Sequence, residues 1–195
     1  MTTRPNFTFD EASHTYRVDG EVLPSVSTIL RPIVSFDGIP AEVLSAAAAR
    51  GVAVHKACEL DDLGDLIEES VDPSIAGYLE AWRKFRRELR AEVFDTEQRR
   101  YHSIQRYAGT RDAIVRIGRR LWLIDRKTSA AAPWHAIQLA GYQLLAEDNG
   151  EAVDKVGTVL LAADGSYKLI EYGAAADRRV FTALVTLHKW RASNV

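Results

Sequence analysis

The sequence predicts an α/β fold, a central mixed β-sheet flanked by helices. Three observations predict it. Apolar residues recur at helical spacing over residues 74–92, where Ile75, Leu79, Trp82, Phe85 and Leu89 share a stripe. The period then changes to two over residues 93–102, 113–117 and 121–124, which read as strands. A helix, a hairpin and a last helix follow, an order that fits helices packed on a sheet.

Element by element, the chain opens with alternating apolar and polar residues, Phe7 and Phe9, then Tyr16 and Val18, with Asp19-Gly20 as a turn pair. Pro24-Ser25 offers an N-cap to a short helix, Val26–Leu30. Pro40 suits the first turn of a second helix that runs through an alanine-rich stretch towards Leu60. Gly51 interrupts that helix, and such a glycine is expected where another backbone approaches closely. The acidic residues Asp61, Asp62, Asp65, Glu68, Glu69 and Asp72 read as a solvated loop or helix end. Beyond the three strands, residues 134–148 form a helix that ends at Asn149-Gly150. Residues 156–163 and 167–172 form a hairpin about Asp164-Gly165, and residues 175–192 a closing amphipathic helix. No repeat or linker divides the chain, so residues 1–195 read as one domain.

Composition excludes several classes. No apolar run approaches the roughly 20 residues that span a bilayer, and the N-terminus lacks the apolar stretch of a signal peptide. No membrane is expected as a partner. The single cysteine, Cys58, excludes an internal disulfide or a four-cysteine metal site, and fits a reducing, cytoplasmic setting. The net charge of −2 conceals an asymmetry, because residues 81–130 hold 14 Lys+Arg against 6 Asp+Glu. A basic block in a neutral protein is either a solvated helix face or the footprint of a polyanion.

Four short elements carry the chemistry: Arg50-Gly51-x-x-x-His55, Gly109-x-x-Asp112, Ile124-Asp125-x-Lys127-Thr128 and Gln138-x-x-x-Tyr142. Asp125-x-Lys127 alone is a weak signal, an ion pair at a strand end being its plain reading. Its setting adds to it, because residues two apart on a strand point the same way. If Gly118-Arg119 is the loop between the strands, glycine occupies the first central position of a type II′ turn. Counting outward sets Asp112 opposite Asp125, and Lys127 opposite Thr110. Facing carboxylates repel, and a divalent cation between them removes that cost. Oxygen ligands with open positions suit Mg²⁺ or Mn²⁺. His55 comes from a separate helix with Glu59 one turn on, and without metal it reads as a hydrogen-bonded core residue. Gln138 and Tyr142, one turn apart, read either as a helix edge or as residues that position a phosphate or the lysine.

In this order and spacing, over about residues 50–142, the motifs resemble the RecB-like nucleases of the PD-(D/E)xK superfamily. The opening, His14-Thr-Tyr16 through Leu23-Pro-Ser-Val26, resembles phage and prophage members. The resemblance implies a restriction-endonuclease-like core and a Mg²⁺- or Mn²⁺-dependent nuclease. Asp112 and Asp125 match its metal-binding carboxylates, Lys127 its catalytic lysine, His55 an additional metal ligand, and Gln138 and Tyr142 the motif of the following helix. The Arg126 carbonyl would be the remaining protein ligand. Arg126 departs from the apolar or aromatic residue common there, with its side chain expected to face away from the site. DNA is the implied partner, held by the arginines of residues 83–90 with Arg99, Arg100, Arg106 and Arg111. A single-strand annealing or other recombination protein is implied beside it. An exonuclease acting on ends or single strands is the first expectation. The rivals are a structure-selective or restriction-like endonuclease, a catalytically silent DNA-binding subunit, and a small-molecule enzyme, for which no phosphate-cradling loop is present.

Overall fold

A computed structural model describes residues 5–194. The opening residues form a small antiparallel sheet of β1 (Phe7–Asp10), β2 (Thr15–Val18) and β3 (Glu21–Leu23). Asp19 and Gly20 both take positive φ, as a type I′ turn demands, so this pair joins β2 to β3. Then come α1 (Val26–Leu30), α2 (Ala41–Leu63) and α3 (Pro73–Leu89). The Ser25 hydroxyl caps α1 by accepting the Thr28 N–H at 3.0 Å.

The main sheet has the order β4 (Glu92–Tyr101), β5 (Ala108–Ile117), β6 (Arg120–Lys127), β7 (Lys155–Leu161) and β8 (Tyr167–Tyr172). Only β6 and β7 are parallel, with α4 (Trp134–Asp148) as their crossover, and α5 (Ala175–Asn194) closes the chain. The expected mixed sheet flanked by helices is therefore present. One face is covered by α1, α4 and α5 packed on Leu123 and Val156. The other is covered by α2 and α3 packed on Ala113, Val115, Trp122, Ile124 and Val159. No helix among the described residues is long and apolar enough to cross a membrane.

The β5–β6 register is the one counted from the sequence. Ile117 pairs with Arg120, and the ladder runs to Ala113–Ile124. Gly118 has φ +60° while Arg119 has no positive φ, consistent with the type II′ turn. The ladder stops one pair short of Asp112 and Asp125. There the strands part, and the Asp112 carboxylate, not its backbone, receives the Arg126 N–H at 2.6 Å.

Three expectations are corrected. Gly51 does not interrupt α2 and meets no neighbour, since a Cβ there would point into open space. Close backbone approach occurs instead at Gly77, where a Cβ would run into the Ala163 carbonyl oxygen. Of the motif glycines it is Gly109 that has no room for a side chain, a Cβ there lying 2.7 Å from the Tyr142 ring. Asp61 and Asp62 are not solvated, because α2 extends past them and turns both towards α3, where Arg83 and Arg86 meet them. Lastly, the basic block is largely neutralised within the chain. Arg87 pairs with Glu80, Arg100 and Arg111 with Glu151, Arg106 with Glu21, and Arg116 with Glu92.

Candidate metal centre

β6 divides its side chains between the two faces of the sheet. Leu123 lies in the α4–α5 core, while Trp122 and Ile124 lie in the α2–α3 core. Asp125 and Lys127 continue the Leu123 side, and Lys127 Nζ donates to Asp125 Oδ1 at 2.7 Å. Arg126 points the other way and is fully buried. Its guanidinium donates to Asp62 Oδ2 at 2.9 Å and stands 5.0 Å from the centre of the Trp82 ring. Asp62 is held from its other side by Trp82 Nε1 at 2.8 Å and Arg86 at 2.9 Å. The expected orientation of Arg126 thus holds, but its side chain is not idle. It also donates to Glu97 Oε1 and to the Asp112 carbonyl, both at 3.1 Å.

From α2, His55 enters on the Arg126 backbone. Its Nε2 is 3.0 Å from the Arg126 carbonyl oxygen. Its Nδ1 is 3.4 Å from Asp112 Oδ2 and 3.6 Å from Glu97 Oε1. If Nε2–H donates to that carbonyl, the Nδ1 lone pair of a neutral ring faces two carboxylates. That arrangement repels unless the ring is protonated or a cation lies between the groups. Ligating histidines characteristically give their other N–H to a carbonyl in this way. Burial pulls the His55 pKa down, but Asp112 and Glu97 outweigh it and the net shift is upward. One ligand atom each from His55, Glu97 and Asp112 falls within a 4.8 Å span, a group able to hold a metal ion.

Asp125 and Lys127 lie beside this triad. Burial pushes the Asp125 pKa up, Lys127 opposes that, and Asp112 adds to it. Burial opposes the charge on Lys127, while Asp125 and Asp112 restore it and leave its pKa raised. Asp125 Oδ2 is buried with no hydrogen-bond partner among the described residues, and so is Gln138 Oε1. Gln138 and Tyr142 lie on the buried side of α4. Burial, then the Asp112 and Asp125 charges, hold the Tyr142 phenol well above its ordinary pKa, so it stays a donor. Trp134 is half-buried and in edge contact with the buried His135, with Lys127 Nζ 6.0 Å from the centre of its ring.

The structure therefore brings His55, Asp112, Asp125, Arg126 and Lys127 together, with Gln138 and Tyr142 behind them. Glu97 is the residue sequence reasoning missed. It lies in the run Glu-Gln-Arg-Arg with no motif around it, and its φ of +49° is unusual for a residue within a strand. Asp62 was missed as a partner of Arg126 because the contact spans 64 positions.

No family model and no curated protein matches the chain. Among solved structures, one described as the crystal structure of SSO0001 aligns with a TM-score of 0.36 and 18% identity. That alignment covers 83% of this chain and 84% of the other.

Proposed function

We propose that this protein is a Mg²⁺- or Mn²⁺-dependent deoxyribonuclease of the RecB-like PD-(D/E)xK type, with a restriction-endonuclease-like core, hydrolysing phosphodiester bonds at DNA ends or in single strands. The observation that carries the reading is the grouping of His55, Glu97 and Asp112 beside the Lys127–Asp125 pair. The donor set is hard oxygen plus one imidazole, which suits these ions. The unpartnered Asp125 Oδ2 supports the fit, since a buried carboxylate oxygen without a donor is costly. A bound ion would polarise the scissile phosphate and lower the pKa of the attacking water.

The remaining work falls to this chain's own residues. His55, Glu97, Asp112 and Asp125 would hold the ion. The Arg126 carbonyl, 3.0 Å from His55 Nε2, either shares in that or fixes the ring. Lys127 keeps its proton, so its ammonium can orient the water or offset charge developing on the phosphate. Tyr142 and Gln138 close the site from α4 and leave the phenol as a donor. In keeping with the resemblance, we place the enzyme in the cytoplasm, working with a single-strand annealing or other recombination protein. Cys58 is then a buried structural thiol.

The test is cleavage of linear and covalently closed, single- and double-stranded DNA with Mg²⁺ or Mn²⁺. Degradation of linear DNA that is lost in Asp112→Ala, Asp125→Ala and Lys127→Ala, with each variant folded, is the expected result. Rapid nicking of closed circles would favour an endonuclease. Unchanged activity in either aspartate variant would sink the assignment, and no cleavage at all would favour a DNA-binding subunit.

A further inference from the structure

The ion pairs that neutralise the basic block leave a short remainder. Among the described residues, Arg99, Arg119, Lys84 and Arg90 are its members without an ion pair within the chain. Lys84 and Arg90 belong to α3 and its C-cap, and Arg119 to the β5–β6 turn at the far end of that hairpin. Arg99 alone sits beside the metal-ligating group. It is exposed on β4, two residues from Glu97, and pairs across the ladder with Thr110, two residues before Asp112.

Its guanidinium is already placed. The centre of the Phe9 ring of the opening sheet lies 4.4 Å from its Cζ, and among the described residues the guanidinium N–H groups make no hydrogen bond or ion pair. The same sheet supplies a hydroxyl, since Tyr16 Oη and Thr110 Oγ1 are 2.7 Å apart in a hydrogen bond that either can donate. His14 is exposed, held at φ +49°, and packs edge-on against both Phe9 and Tyr16. Two chain residues span at most about 6.6–7.2 Å, of the order of the distance between successive phosphates of one nucleic-acid strand.

We propose that Arg99, seated on Phe9 and flanked by Tyr16 and His14, is a binding subsite for the backbone phosphate next to the one held at the metal centre. The proposal rests on the nuclease reading for the identity of the strand. It adds that the strand lies along β4 towards the opening sheet, and that the arginines of α3 do not hold it. A planar fork on an aromatic ring suits a phosphate, which takes two parallel N–H donors.

The test uses a fluorescent single-stranded oligothymidylate and equilibrium anisotropy over a range of KCl with Ca²⁺ present. Arg99→Ala should bind about tenfold more weakly, with a log affinity against log salt slope shallower by about 0.7, one phosphate contact on a single strand. Arg99→Lys should keep the slope and lose part of the affinity. Arg119→Ala, equal in charge but at the other end of the hairpin, should match the unmodified protein. A slope unchanged in Arg99→Ala, or lowered equally in Arg119→Ala, overturns the subsite. Scanning single methylphosphonate linkages along the same oligonucleotide with Mn²⁺ reads the position. One neutral linkage at a fixed offset from the cut should slow cleavage by the unmodified protein and not by Arg99→Ala. Sensitivity at that offset retained in Arg99→Ala also overturns it. Salt-dependent binding through Arg99 without any cleavage would fail the nuclease reading and leave the phosphate contact standing. Cleavage with an unaltered slope would do the reverse.

Discussion

Glu97 stands opposite Asp112 across the β4–β5 ladder, between the pairs Thr96–Ala113 and Gln98–Arg111, and His55 Nδ1 lies within 3.6 Å of both carboxylates. A strand residue with positive φ is costly, on the order of 1–3 kcal/mol, and persists where its surroundings hold it. Here Arg126 holds the Glu97 carboxylate at 3.1 Å.

Glu97→Gln should therefore weaken Mn²⁺ binding by at least about tenfold, as loss of a metal-site partner does, while far-ultraviolet circular dichroism stays unchanged. Titration calorimetry on the purified protein measures it. An affinity equal to that of the unmodified protein would remove Glu97 from the centre.

Asp62→Ala removes one of the two carboxylates paired with the buried Arg126 guanidinium and leaves Glu97 at 3.1 Å, and breaking a buried pair costs up to about 3–5 kcal/mol. Urea denaturation should show that loss as a lower midpoint. Asp62→Leu with Arg126→Met should recover part of it, because the two charges leave together and Arg86 keeps Asp61, while the Trp82 N–H and Glu97 each lose a partner. A double variant no more stable than Asp62→Ala would count against the pairing.

The metal-free protein should lose stability as pH rises through the centre. The folded-state pKa values of Asp125 and His55 both lie above their ordinary 3.8 and 6.5. Each group thus contributes stability that is fully present below its ordinary value and is lost as pH climbs through the raised one. On the proposed function, Mn²⁺ would bind only the folded state and favour the ionised carboxylates and the neutral ring, which would reverse the trend. Thermal melts should show a larger metal-induced rise in Tm at pH 8 than at pH 5, and almost none in Asp112→Asn. A rise independent of pH would mean the ion binds elsewhere.

Two glycines in the sequence motifs should respond with opposite sign. Gly109→Ala pushes a methyl against Tyr142 and should cost about 1–3 kcal/mol, as overpacking does. Gly51→Ala places its methyl in open space on a helix and should gain about 0.5–1 kcal/mol. Calorimetric melts of the two variants settle both signs.

What could be read from the sequence was what local periodicity and turn chemistry encode. Val26–Leu30, Trp134–Asp148 and Tyr167–Tyr172 appear with the expected bounds, because each is flanked by Pro, Gly or Asn punctuation. The β5–β6 register followed from one glycine at a two-residue turn. The β4–β5 register could not be counted that way. Its connection, residues 102–107, is long and includes Arg106 at φ +50°, so nothing local says that Glu97 meets Asp112. The partners of the arginines were hidden for the same reason. Arg83 and Arg86 find Asp61 and Asp62 across 22 to 25 positions, a distance at which charge counting along the chain says nothing about pairing.

The parallel β6–β7 pair and the 71-residue separation between His55 and the Arg126 carbonyl have a kinetic consequence. Contacts this distant close only after the intervening helix and hairpins have formed, since each long loop costs entropy before it is rewarded. The centre should then be absent from the folding transition state. An ion added during refolding would leave the folding rate almost unchanged and slow unfolding instead, so that its hold on the chain is felt as persistence of the native state.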